Sequence, residues 1–168
     1  SESRRLSRMI NNVLTFSRLG KGKIEPSFAA VSVDQIVRTV ERSFALSLNV
    51  KDFEVALDLD APTPIRTDPD LLEQILANLV GNAEKYAAEG RYLEISTGQE
   101  ENRTFIEVRD KGPGIPEREH NNIFKPFYRI SNRLTDGVAG AGIGLSVSRK
   151  LAETLGGRLE SGHSSGGA

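Results

Sequence analysis

An α/β sandwich, with helices on one face of a mixed sheet, is the fold class that the sequence predicts. The first observation is that helix-like and strand-like apolar periodicities alternate along most of the chain. The second is that hydrophobic residues make up 38% of the 168 residues, which is enough for a packed core. The third is that 11 of the 16 glycines lie from Gly112 onward, which concentrates special backbone geometry in the second half.

The first 23 residues form a basic segment with six basic side chains and one acid, whereas the remainder carries 16 basic and 22 acidic residues. Within this segment a helical stripe is predicted by apolar residues at three- and four-residue steps, namely Leu6, Met9, Ile10, Val13 and Phe16. Glycines at positions 20 and 22 end the helix. Because a single helix of this length is marginal alone, we expect it to pack on its own domain or on a second copy.

The remaining elements follow from the same two periodicities. Asp68 followed by proline is a typical helix start, and the Gly156-Gly157 pair is a typical helix end. A turn over 98–102 joins two alternating runs into an antiparallel pair. The predicted helices span 33–48, 68–88 and 143–155, and the predicted strands span 53–59, 91–97, 104–109 and 158–161.

Composition and charge exclude several classes of function. A net charge of −1 argues against general nucleic-acid binding, and no apolar run approaches the roughly 18 residues that span a bilayer. The absence of cysteine removes disulfides, thiolate zinc sites and cysteine nucleophiles. No secretory pattern opens the chain, so we expect a cytoplasmic segment without membrane contact. Whether a parent protein is anchored in the inner membrane stays open.

Two asparagines four residues apart mark the predicted helix over 68–88. Asn78, Asn82 and Lys85 share a stripe beside the apolar one, with Tyr86 between the two stripes. One interpretation is a solvated polar face. The other is a row of ligands, because an asparagine carbonyl can complete the oxygen shell of magnesium and a lysine can meet a phosphate.

A strand-to-turn segment follows at Asp110, which precedes Gly112 and Gly114. Residues of these types favour a plain turn. The turn could also be a binding site, since bare glycine backbone accommodates a flat ligand. The carboxylate of Asp110 would then accept a hydrogen bond from an exocyclic amine, such as that of adenine.

The glycine-rich segment over 140–145 opens the helix predicted over 143–155. Free N–H groups and the helix dipole favour an anion there, and phosphate groups fit well. The segment does not match the dinucleotide fingerprint, because no strand precedes it, and it lacks the Gly-Lys-Ser/Thr of a Walker loop.

Aromatic and basic residues lie between the two glycine segments. We expect Phe124 and Phe127 to anchor a loop. The polar stretch after Arg129 predicts a movable lid between the two glycine segments. Arg129 and Arg133 are candidates for neutralising phosphate charge.

Taken in order, four sequence motifs resemble the N, first glycine, F and second glycine boxes of sensor histidine kinases. They are Asn-Leu-Val-Gly-Asn-Ala-Glu-Lys-Tyr over 78–86, Asp-Lys-Gly-Pro-Gly over 110–114, Phe-Lys-Pro-Phe-Tyr-Arg over 124–129, and Gly-Ala-Gly-Ile-Gly-Leu over 140–145. The resemblance covers roughly 25–165, and residues 3–19 look like the end of the second helix of a dimerisation and phosphoacceptor domain. It implies the Bergerat (GHKL) fold, an α+β two-layer sandwich with a mixed, mostly antiparallel sheet.

The resemblance also implies the roles of individual residues. Asn82 would be the ligand of Mg²⁺, and Asn78, Lys85 and Arg129 would be catalytic. Asp110 would bind the adenine amine. The implied nucleotide-binding set is Asn78, Asn82, Lys85, Tyr86, Asp110, Gly112, Gly114, Ile115, Phe127, Gly140, Gly142, Ile143, Gly144 and Leu145.

The implied activity is transfer of the γ-phosphate of ATP to a histidine on a dimerisation domain, with a response regulator downstream. Residues 1–22 would then be the end of a dimerisation helix and linker, and 23–168 the catalytic domain without its final strand. The phosphoacceptor histidine is missing, because neither His120 nor His163 has the sequence context of one. We interpret both as surface residues.

Three rival functions are weighed against this one. A hydrolytic ATPase of the same fold carries a glutamate as general base four residues before the magnesium asparagine, where this chain has Asn78. A serine kinase of the anti-sigma type is disfavoured by the predicted helix over 3–19 and by the motif over 124–129. An ATP-responsive module without catalysis is disfavoured by the intact motifs, although the sequence leaves it open.

Overall fold

The computed structural model describes residues 2–130 and 140–162. Within these ranges the chain forms four α-helices, five β-strands and two short 3-10 helices. The helices are α1 (Glu2–Gly20), α2 (Val33–Val50), α3 (Pro69–Tyr86) and α4 (Gly144–Thr154), and the 3-10 helices are Glu117–Glu119 and Asn122–Phe124. The strands are β1 (Ala29–Val31), β2 (Glu54–Asp60), β3 (Ile65–Thr67), β4 (Tyr92–Glu100) and β5 (Arg103–Asp110).

The main sheet of the described chain is mixed. Its strand order is β2-β4-β5, with β2 parallel and β5 antiparallel to the central β4. A separate antiparallel pair joins β1 to β3. The parallel pairing requires a crossover, and α3 supplies it between β2 and β4. Strand β5 ends at Asp110. This strand end lies beside the C-terminal end of α3, since the turn at Gly112 packs on the carbonyl oxygen of Tyr86.

The core lies between one face of the sheet and helices α2 and α3. The apolar stripe of α2, which includes Val37, Val40 and Phe44, packs with Leu76 and Val80 of α3 against the buried side chains of β4. Along β5 the residues alternate between partly buried and exposed, so its outer face contacts solvent. The predicted α/β sandwich with helices on one face is confirmed.

Asp68 fixes the start of α3. One oxygen of its carboxylate accepts hydrogen bonds from the backbone N–H groups of Asp70 and Leu71, and the other accepts one from Ser27. An N-cap carboxylate satisfies donors that a helix start leaves open. The predicted cap is thus present, and it also ties the loop after α1 to α3.

Helix α1 packs on its own domain through its C-terminal end. Phe16 and Leu19 join a second apolar cluster formed by α3 and α4. The predicted stripe is only partly used, because Leu6, Ile10 and Val13 remain between 48% and 56% exposed.

The sequence prediction was wrong for three local features. Strands β1 and β3 were not predicted, because three residues are too few to show a periodicity. In the predicted strand over 158–161 the described residues pair with no strand, and Arg158 instead forms an ion pair with Glu160. The predicted turn starts too early, since Gly98 lies inside β4 opposite Phe105.

Candidate functional site

A cavity of about 540 Å³ opens between α1, α3, the end of β5 and the two glycine segments. It collects most of the side chains that the sequence motifs single out. The predicted residues that line it are Asn78, Asn82, Lys85, Tyr86, Asp110, Gly114, Ile115, Arg129, Gly140, Gly142, Ile143, Gly144 and Leu145. Segments that are far apart in the chain therefore meet at one place in the fold.

Asn78 sits at the junction of α3 and α4. Only 8% of it is exposed, so a solvated polar face does not describe this residue. Its amide nitrogen donates to the carbonyl oxygen of Gly144 at 3.2 Å and to Oγ of Ser148 at 2.9 Å. Its amide oxygen accepts from Nδ2 of Asn12 at 2.8 Å. Asn78 thereby fixes the glycine-rich start of α4 against α3.

Asn82 lies one turn further along α3 in a different environment. It is partly buried and lines the cavity, yet its side chain makes no hydrogen bond within the described ranges. A partly buried amide oxygen without a partner can serve as a ligand to a hard cation. On the same stripe of α3, Asn78 therefore holds neighbouring elements together, whereas the side chain of Asn82 is free of hydrogen bonds in the described ranges and could bind a ligand.

Lys85 is half-buried in the cavity and forms no ion pair within the described ranges. Its Nζ lies 3.6 Å from the position that a Cβ atom would take at Gly140. Burial lowers the pKa of Lys85, and the nearby positive charges of Arg8 and Arg5 lower it further. A partly desolvated cation beside a glycine loop favours a bound anion.

Asp110 ends β5 and also lines the cavity. One of its carboxylate oxygens accepts a 2.8 Å hydrogen bond from the backbone N–H of Gly112, and the other makes no hydrogen bond within the described ranges. Burial raises the pKa of Asp110, while the hydrogen bond from Gly112 acts in the opposite direction. The open oxygen leaves one strong acceptor available inside the cavity.

Gly112 has a packing role rather than a lining role. A Cβ atom there would approach Oδ1 of Asp110 to 2.8 Å and the carbonyl oxygen of Tyr86 to 3.2 Å. A side chain at this position would therefore force the Asp110 carboxylate and the turn to shift relative to the end of α3. Gly114, two residues on, does line the cavity and has a left-handed φ of 78°.

The glycine segment before α4 matches an anion site in its geometry. Among the described residues no side chain caps α4, so the N–H groups of its first turn lack a partner of that kind there. Gly142 has a φ of 72°, and its carbonyl oxygen accepts a 2.8 Å hydrogen bond from the backbone N–H of Phe127. This bond connects the glycine segment over 140–145 to the loop over 124–129 that contains Phe124 and Phe127.

Only one of the two expected aromatic anchors is buried. Phe124 packs in the interior beneath the guanidinium of Arg149, which lies 3.8 Å above its ring. The ring of Phe127 is 67% exposed, does not line the cavity and makes an edge contact with Phe16. Its side chain is therefore not the buried anchor that the sequence predicted, and its contact with the site is the backbone hydrogen bond to Gly142.

The histidines and the lid complete the comparison with the sequence. His120 is partly buried, not a free surface residue, because its ring lies within hydrogen-bond distance of Ser161 Oγ at 2.7 Å and of the carbonyl oxygen of Ile115 at 3.0 Å. That carbonyl only accepts, so Nε2 carries a proton. His163, Arg133 and most of the predicted lid lie outside the described residues.

Helix α1 also contributes to the cavity, which sequence reasoning missed. Its lining residues are Arg5, Arg8, Met9 and Asn12, and further lining residues come from 159–162. The one available signal was electrostatic, since α1 is basic and the remainder of the chain is acidic. Charge alone does not tell which side chains face a site.

The fold and this site agree with comparisons to known proteins. The profile of the family described as histidine kinase-, DNA gyrase B-, and HSP90-like ATPase matches residues 67–168. Because that match covers more than half of the chain, the chain belongs to this ATP-binding family.

Similar proteins narrow the class further. The chain is 33% identical to Two-component system protein A of Emericella nidulans over 92% of this chain and 24% of that protein. It is 26% identical to Sensor histidine kinase WalK of Bacillus subtilis over 95% of this chain and 26% of that protein. The crystal structure of full-length ShkA in complex with AMPPNP superposes with a TM-score of 0.82 and 32% identity, over 97% of this chain and 34% of ShkA.

The predicted resemblance to the catalytic ATP-binding domain of sensor histidine kinases is thereby confirmed. The chain spans about a quarter of the length of these two curated relatives. Within the described ranges, no helix combines the length and apolar character that crossing a membrane requires.

Proposed function

We propose that this chain binds Mg²⁺·ATP and transfers the γ-phosphate to a histidine on a dimerisation domain, as the catalytic part of a sensor histidine kinase. One observation carries the proposal. A single cavity brings together an available carboxylate oxygen on Asp110, an available amide on Asn82, and Lys85 beside Gly140. These groups fit an adenine amine, a magnesium ion and phosphate groups, respectively.

The residues fit a magnesium ion held mainly by the nucleotide. Among the described residues, no group of three or more histidine, cysteine, aspartate or glutamate side chains could hold a metal. Magnesium suits such a site, because it commonly takes one or two protein ligands together with phosphates and water. Bound there through Asn82, it would neutralise charge on the transferred phosphate.

The chain's own residues would bind and orient the nucleotide. Asp110 would hold the base, while the backbone N–H groups at the start of α4 and the ammonium of Lys85 would stabilise phosphate charge. Arg129 lines the same cavity and would add positive charge. Phosphoryl transfer then depends on positioning, with little covalent chemistry left to the protein.

Transfer is favoured over hydrolysis by the environment of Asn78. Its amide is buried and held by three hydrogen bonds, and an amide is too weakly basic to take a proton from water. Glu84, also on α3, is buried in an ion pair with Lys51 at 3.0 Å and does not line the cavity. The acceptor in this proposal is a histidine of a separate dimerisation domain, and a response regulator receives the phosphate afterwards in the cytoplasm.

The nucleotide assignment is tested by Asp110→Ala. Loss of a charge-assisted hydrogen bond to the adenine amine should weaken ATP binding by about 1.5–3 kcal/mol, measured by calorimetry. GTP serves as the matched ligand control, because it presents a carbonyl oxygen where adenine has its amine. The wild-type chain should bind ATP more tightly than GTP, and the Asp110→Ala variant should lose that preference. An unchanged preference would contradict the assignment of Asp110 to the adenine amine.

A further inference from the structure

Helix α1 is held against the cavity by a polar cluster. Nδ2 of Asn12 donates to Asn78, and Nε2 of Gln74 donates to Oδ1 of Asn12 at 3.3 Å and to Oγ1 of Thr15 at 3.0 Å. These bonds join α1 to the same stripe of α3 that lines the cavity. Arg8, one turn before Asn12, therefore sits on the α3 side of α1.

Arg8 is half-buried and has no ion pair within 4 Å in the described ranges. Its guanidinium carbon lies 4.5 Å above the ring of Phe44, and its Nε lies 3.9 Å from the Cβ position of Gly81. Other basic residues in the same region are paired, Arg5 with Glu2 and Lys51 with Glu84. Arg8 and Lys85 are thus two partly desolvated cations facing one cavity. Neither forms an ion pair within 4 Å in the described ranges. Burial lowers the pKa of both, although the negative charge of Glu84 acts in the opposite direction.

The order of groups along α3 indicates which part of a ligand each cation meets. The Asp110 turn closes against the C-terminal end of α3, where the Cβ position of Gly112 lies 3.2 Å from the carbonyl of Tyr86. Lys85 comes next, and Gly81, which lies beside Arg8, is one helical turn further toward the start of α3, about 6 Å away. A base at Asp110 therefore places Arg8 further along the phosphate chain than Lys85.

We propose that Arg8 of α1 binds the terminal phosphate of the nucleotide, so that α1 completes a site whose other residues lie in the catalytic domain. The inference rests on the proposed function, because it takes ATP as the ligand. A guanidinium can donate two parallel hydrogen bonds to one phosphate, and its stacking on Phe44 holds these two donors in place. A terminal phosphate would also relieve the repulsion between Arg8 and Lys85.

The test compares ATP, ADP and AMP affinities of the wild-type chain and Arg8→Gln by calorimetry in magnesium buffer. In Arg8→Gln the affinity for ATP should fall about tenfold or more. The affinities for ADP and AMP should not change, because only ATP carries the phosphate that Arg8 would bind. Arg4→Gln is the matched control. Arg4 lies on the same helix, is exposed, donates to the carbonyl of Ser43 and does not line the cavity, so its loss should change none of the three affinities.

An equal loss for all three nucleotides, or no loss for ATP, would overturn the role of Arg8. Because Arg8 also packs on Phe44, Arg8→Lys is measured alongside, with thermal unfolding of each variant. Lysine keeps the positive charge but lacks the two parallel donors of arginine. Arg8→Lys should therefore lose less ATP affinity than Arg8→Gln, and its ADP and AMP affinities should not change. A wild-type chain that binds no adenine nucleotide would instead contradict the proposed function itself.

Discussion

Asn78 and Asn82 show how two identical residues on one stripe take different roles. Asn78 uses both of its N–H donors on Gly144 and Ser148 and accepts a hydrogen bond from Asn12, whereas the side chain of Asn82 makes no hydrogen bond within the described ranges. The sequence places both on one helical face but does not reveal the partners, because those come from α1 and α4. We therefore propose Asn82, and not Asn78, as the ligand of magnesium.

Replacing Asn82 by alanine should remove most of the gain in ATP affinity that magnesium provides, about tenfold or more. Affinity measured with EDTA should change little, because the base and phosphate contacts remain. Calorimetric titrations of ATP with and without magnesium check this expectation. An Asn82→Ala chain that keeps the full magnesium effect would show that the ion is held elsewhere.

At the scale of elements, the loop between α3 and β4 positions the Asp110 turn. Gly90 of this loop packs so closely on the turn that a Cβ atom would lie 1.9 Å from the carbonyl oxygen of Lys111. That oxygen is backbone, so relief requires the turn itself to move. Such a contact between two loops leaves no periodic signal, which is why the sequence predicted the helix and strand but not their closeness.

Gly90→Ala should destabilise the fold by about 1–3 kcal/mol, the range for forced overpacking. Gly81→Ala is the matched control, because its Cβ atom would meet Phe44 and Arg8 only at 3.8 Å and 3.9 Å, ordinary contact distances. Alanine also has the higher helix propensity, so Gly81→Ala should stabilise by up to about 1 kcal/mol. Urea unfolding of both variants tests the pair, and equal midpoints would contradict this packing.

For the molecule as a whole, periodicity predicted the long elements and the layer order, since α2, α3 and β4 carry strong apolar patterns. It failed for β1 and β3, which are too short, and for the residues from Arg158 onward, which pair with no strand in the described ranges. Most of the predicted site residues do line the cavity. The motifs missed the lining that comes from α1, from β5 and from 159–162, because those contributions depend on how separate elements pack rather than on any local motif.

The division at about residue 22 stays a prediction, although the packing of α1 bears on how the two parts cooperate. Phe16 and Leu19 are partly buried against the α3–α4 cluster, and Asn12 donates a hydrogen bond to Asn78 in the cavity wall. We propose that a helix attached in this way would couple the position of a dimerisation domain to the nucleotide site, so that phosphate transfer would depend on both parts.

Phosphotransfer with labelled ATP tests the central claim most directly. The chain is incubated with γ-labelled ATP, magnesium and the cognate dimerisation domain, and the acid-labile label on each protein is measured. We predict that the partner's histidine becomes labelled while this chain stays unlabelled, and that Asp110→Ala reduces the labelling at subsaturating ATP. Release of inorganic phosphate with no label on the partner, or label retained on this chain, would contradict the account.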